Sequence, residues 1–154
     1  MQRPHDALAV LERALSKVKD PLPMHMERLQ LLRRSKGLEP SLVELQKLVD
    51  QNIRRPELLA LLANWLVEVN KGEAAVQTAR SAIQTDQGEL TNEQKALLHH
   101  LIGQQMHKTG QLDQAIFAFS QAIQLEPSRL DFYLELAKTH QDRREYNQAI
   151  KVLE

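Results

Sequence analysis

The sequence contains no cysteine, which removes disulfide frameworks, thiolate metal sites and cysteine nucleophiles together. It carries no net charge, because 20 Lys and Arg balance 20 Asp and Glu, so no basic field draws the chain to nucleic acid or to an anionic membrane. No run approaches the roughly 18 to 20 apolar residues that a bilayer span requires. The opening Met1-Gln2-Arg3-Pro4-His5-Asp6 leads into an amphipathic segment, not an apolar signal core. These absences predict a cytoplasmic chain with no membrane insertion. Phosphate-binding glycine loops, Ser/His/Asp orders and HExxH pairs are missing too, so no catalytic residue, cofactor or metal site is expected.

What the chain does have is periodicity. Between Gln94 and Pro127 two amphipathic halves are broken by Thr109-Gly110, and in the second half Ala115, Phe119 and Ala122 recur at i, i+4 and i+7. A ring on one helix facing a small residue on the next lets two antiparallel helices approach closely, so this is a helical hairpin with an interlocking seam. The same pattern returns along the chain. Ala149 and Leu153 lie 34 residues downstream of Ala115 and Phe119; Ala75, Ala79 and Ala82 lie 40 upstream of Ala115, Phe119 and Ala122. Further upstream steps of 34 reach Ser41, Leu45 and Leu48, then Ala7, Leu11 and Ala14. The single break in period is six extra residues, placed within 86–93.

Helix signals follow this frame. Residues 6–19 predict a helix with Asp6 as its N-cap and Leu8, Leu11 and Leu15 on one face. Helices are then expected over 24–35 and 40–50, with Lys36-Gly37 as a stop and Pro40 as a start. The next pair spans 57–70 and 73–85, joined by Asn70-Lys71-Gly72. Thr91 and Gln94 make a capping box that starts a helix near Asn92. The final pair covers 130–142 and 146–154.

The pattern resembles the tetratricopeptide repeat family, whose 34-residue helical pairs carry a Leu-Gly pair in the first helix and Ala, Phe, Ala and Pro in the second. Residues 96–129 match it best, through Ile102-Gly103, Gly110, Ala115, Phe119, Ala122 and Pro127. The resemblance implies an all-α, right-handed superhelix of about four helix pairs plus one leading helix. Residues 1–21 would be a lone second helix, 22–55, 56–89 and 96–129 three repeats, 130–154 a truncated repeat and 86–93 an insert. Such a chain would be a fragment of a longer array, with uncapped ends where Leu8, Leu15, Ile150 and Leu153 invite self-association.

Six histidines raise the question of metal or acid–base chemistry. His100, Gln104 and His107 share one helical face, but imidazoles seven residues apart sit about 10 Å apart along the axis, too far for one ion. They are expected to line a groove or a seam, and Trp65 to pack inside. In the resembled family, first helices line a concave groove that holds extended peptides. Carried over, that groove presents Gln30, Asn64, Gln104 and Lys138 as one row, with Arg34, Glu68, Lys108 and Asp142 a turn further along. The carboxylate clamp of chaperone-binding members needs a set of which only Asn64 is present. The resemblance therefore implies a noncatalytic scaffold or adaptor whose partner is a protein or peptide. An accessory domain of a larger bacterial enzyme, such as a transferase, is the alternative, and a self-association module a third.

Overall fold

A computed structural model describes residues 9–11, 14, 19, 21–51 and 55–154. The chain forms two compact units, Met1–Arg54 and Arg55–Glu154. Asp6, Leu8 and Leu15 of the expected leading helix lie outside the described residues.

In the first unit, α1 (Leu22–Lys36) and α2 (Leu38–Asp50) form one hairpin. Leu29 and Leu45 are fully enclosed, and Ser41 and Leu48 are buried beside them, so the predicted second-helix stripe does face inward. Ser41 Oγ donates to the Gly37 carbonyl at 2.8 Å, which satisfies the only buried hydroxyl of this pair. Both helices start two residues earlier than expected. Gly37 at φ 90° turns the chain within a single residue, and Pro23 and Pro40 fall in first turns, where a missing N–H has no partner to lose.

The second unit contains three hairpins: α3 (Pro56–Glu68) with α4 (Gly72–Thr85), α5 (Asn92–Lys108) with α6 (Leu112–Leu125), and α7 (Leu130–Asp142) with α8 (Tyr146–Leu153). Among the described residues of the chain there are thus four helix pairs and no strand. One turn design closes all three hairpins. Asn70, Gly110 and Arg144 adopt positive φ, and the following N–H reaches back to the carbonyls of Leu66, Met106 and His140 at 2.8, 2.8 and 2.9 Å. This doubly bonded left-handed cap satisfies the last carbonyls of the first helix and sends the chain back along it. In the α3–α4 turn Asn70 takes the left-handed position. Gly72, expected in that turn, instead opens α4.

Packing follows the stripe. Ala75, Ala79 and Ala82 on α4, and Ala115, Phe119 and Ala122 on α6, have no exposed surface. Within the second unit, α4 also packs on α5 and α6 on α7, while α3, α5 and α7 touch in succession. Trp65 is 2% exposed, a core residue. Between α4 and α5, Asp86 organises the connection. Its carboxylate accepts from Gly88 and Leu90 N–H groups at 3.2 and 2.8 Å and pairs with Lys95 Nζ at 2.6 Å. Thr91 and Gln94 then form the reciprocal capping box, and α5 begins at Asn92 as the sequence predicts. No described helix is long and apolar enough to cross a membrane.

Candidate binding surfaces

The helix register of the second unit arranges one exposed face from first helices only. Asn64 on α3, Gln104 on α5 and Lys138 on α7 occupy matching places and are all exposed, as are Glu68, Lys108 and Asp142 a turn later. His107 Nε2 lies 2.7 Å from Asp142 Oδ2, a direct bond that ties the ends of α5 and α7 together. Asn64 Nδ2 donates to the Ala60 carbonyl of its own helix at 2.9 Å, leaving Oδ1 as an acceptor. Leu97 and Leu134 add exposed apolar surface on the same helices. Gln30 and Arg34 belong to the first unit, where Gln30 is half-buried and Arg34 exposed.

His100 has another setting. Its ring is wedged between Phe119 and Phe132, with centroids 5.7 and 4.8 Å away, and its Nε2 is enclosed without a hydrogen-bond partner. Burial holds its pKa below the ordinary imidazole value; Asp131 and Glu135 oppose that shift and Arg129 adds to it. No group of three His, Asp or Glu among the described residues is placed to hold a metal ion.

A second surface escapes the family-based reading. Between α4 and α6, above α5, lies a cavity of about 360 Å³ walled by Ile83, Ile102, Phe117 and Ala118, with His99 in its lining. Burial also lowers the pKa of His99, which favours its neutral form there. A neighbouring, more polar cavity of about 550 Å³ shares Arg80 and Gln114, whose side chains meet at 3.1 Å. Phe117 is 66% exposed. Its signal was present in the sequence, since an aromatic two residues before Phe119 points away from the Ala115/Phe119/Ala122 stripe.

The family model described as Tetratricopeptide repeat matches residues 106–154, which hold the α6 stripe and the whole of the α7–α8 hairpin. The fold is that of a tetratricopeptide repeat protein. Solved structures of tetratricopeptide repeat proteins agree along the chain. MamA from Desulfovibrio magneticus RS-1, from residue 41 to its end, superposes with a TM-score of 0.75 at 16% identity, over 97% of this chain and 81% of that one. YrrB, described as a TPR protein with an unusual peptide-binding site, gives 0.75 at 15% identity over 97% and 74%. PilF of Pseudomonas aeruginosa gives 0.77 at 20% identity over 97% and 65%. No curated protein matches the sequence significantly. Within this tetratricopeptide repeat frame, the α4–α6 cavity sits on the second-helix side, away from the row of Asn64, Gln104 and Lys138.

Proposed function

We propose that residues 55–154 are a noncatalytic tetratricopeptide docking surface that holds a peptide or protein segment across α3, α5 and α7, as a scaffold or adaptor. The row Asn64, Gln104 and Lys138 carries this reading. Side-chain amides offer a donor and an acceptor apiece, which suits a peptide backbone without demanding a particular sequence. Asn64 is already fixed by its bond to Ala60, so its Oδ1 meets an incoming N–H with little rotamer entropy left to lose. Leu97 and Leu134 supply apolar contact toward the N-terminal ends of α5 and α7, and Lys138 and Lys108 favour a segment with an acidic residue.

The test is the double variant Asn64→Ala with Gln104→Ala. Each amide removed strands a peptide group at roughly 1–3 kcal/mol where the contact is dry, so the affinity of a partner recovered with the parent chain should fall tenfold or more, at about 1.4 kcal/mol per decade. Both residues are exposed, so the melting temperature should stay within a degree or two of the parent at this size. Binding that survives the double variant but is lost on altering Gln77 and Gln84 of α4 would move the site to the second-helix side and end this reading.

A further inference from the structure

The α4–α6 groove differs from its neighbour one repeat on, and the differences are chemical. Across the 34-residue step His99 becomes Tyr133 and Phe117 becomes Lys151, while Ile102 becomes Leu136. The smaller ring on α5 leaves the floor open, and the phenyl ring on α6 builds an apolar wall where the next repeat has a charge. The wall is exposed in the middle of the second unit, with helices packed on both sides of α5. Phe117 does not stand alone there: with Ile83, Ile102 and Ala118 it forms a contiguous apolar lining, and such a patch marks a contact surface.

Beside this apolar pocket stands a cation without an anion. Arg80 is exposed, and its guanidinium meets only the neutral Oε1 of Gln114 among the described residues. Asp113, the acid in this cavity's lining, is engaged by Arg143. An incoming carboxylate therefore finds Arg80 able to exchange an amide for a charge, and a charge-assisted bond is the stronger of the two. The pocket walls are side chains of helices whose backbones are internally bonded, so they offer no edge to an extended strand. Gln114, an amide in the lining, is already engaged by Arg80 and Gln111, so an occupant that satisfies its own backbone, as a helix does, suits this apolar lining best.

We propose that the groove between α4 and α6 is a second docking site, for an amphipathic helix of a partner protein that inserts two bulky apolar side chains one turn apart beside Phe117 and places an Asp or Glu on Arg80. The volume, about 360 Å³, accommodates such a pair, and the adjoining polar cavity with Gln77 and Gln105 receives the helix's polar flank. The site is independent of the first-helix row.

A random 16-residue displayed-peptide library panned on the full chain carrying Asn64→Ala and Gln104→Ala tests this with the first-helix row disabled. The proposal expects an enriched pool with two large apolar residues spaced by three or four and an acid beside them. Affinity of the selected peptides should fall roughly tenfold or more with Phe117→Ser and again with Arg80→Glu. Replacing the peptide's acid by Lys should restore binding to the Arg80→Glu chain. Both altered side chains are exposed, so circular dichroism should show unchanged helicity and melting. A pool that binds Phe117→Ser and Arg80→Glu as tightly as the parent, or no enriched pool, overturns the proposal. A dimer of the chain alone that Phe117→Ser abolishes overturns it as well, because the occupant is then a second copy.

Discussion

Gly103 of α5 lies directly against the ring of Phe119 on α6: a Cβ built on the glycine would stand 2.6 Å from Phe119 Cε1 and 2.7 Å from Cδ1. The ring has no open space to retreat into, because Phe119 has no exposed surface and also packs on His100 of α5. An alanine in a helix is worth about 1 kcal/mol more than glycine by propensity, and here the clash outweighs that gain. Gly103→Leu should cost about 1–3 kcal/mol or more, read from urea unfolding, and Gly103→Ala should also destabilise. Phe119→Leu should relieve part of the Gly103→Ala penalty in a double-mutant cycle. A Gly103→Ala chain that melts above the parent would show that the seam has room.

Arg144 makes the opposite case. It holds φ 62° at the place where the preceding hairpin has Gly110 at φ 76°, so an L side chain sits in a conformation that glycine adopts without strain. Arg144→Gly should raise stability by roughly 0.5–1 kcal/mol, and Gly110→Ala should lower it by a similar amount. Equal melting temperatures for Arg144→Gly and the parent would contradict the argument.

The Asp86 staple predicts an acid response. Lys95 first, then the Leu90 N–H, hold its carboxyl at about 2 against partial burial, below the 3.8 of a free carboxyl. Because the folded value is the lower one, the contribution is full above about pH 4 and is lost as pH falls toward 2. Asp86→Asn should melt below the parent at pH 7, with the gap closing through that window. A gap that stays constant down to pH 2 would remove Asp86 as the cause.

His100 predicts a dependence nearer neutrality. Its folded pKa lies below the ordinary 6.5, chiefly through burial between two phenyl rings. Above pH 6.5 both folded and unfolded chains are neutral there. As pH falls below that value the unfolded chain takes up the proton that the folded site resists, so stability declines. Denaturant midpoints at pH 7.5 and 5.5 should differ in the parent and differ less in His100→Leu, the residue type found at the equivalent Leu134. His25 and His99 are lowered by burial as well, so part of the slope remains.

On α8, Tyr146, Ile150 and Leu153 recur at i, i+4 and i+7 and are 59%, 59% and 58% exposed. A continuous apolar stripe of this kind favours association. Light scattering at rising concentration should show a growing average mass, and Ile150→Glu should return the chain to monomer. A constant monomer mass at millimolar concentration would contradict it.

The repeating architecture was legible because its determinants are local and periodic. Ala115, Phe119 and Ala122 share a face by helical geometry alone, and Thr91 with Gln94 signals a helix start from side chains three residues apart. The structure showed both where the sequence placed them. Turn conformation was less legible: glycine marks the left-handed residue at Gly110, whereas Asn70 and Arg144 take the same conformation only because the two helices they join must pack. His100 is hydrophilic by type and sits on the face next to Gln104, yet its surroundings come from Phe132, one repeat away. The α4–α6 groove depends on how far apart two second helices stand when both rest on α5. Sequence by itself determined which residues turn inward within each hairpin, since that follows from the 3.6-residue period. Only the tertiary structure decided what each outward residue meets, because the spacing between hairpins is set by packing among side chains tens of residues apart.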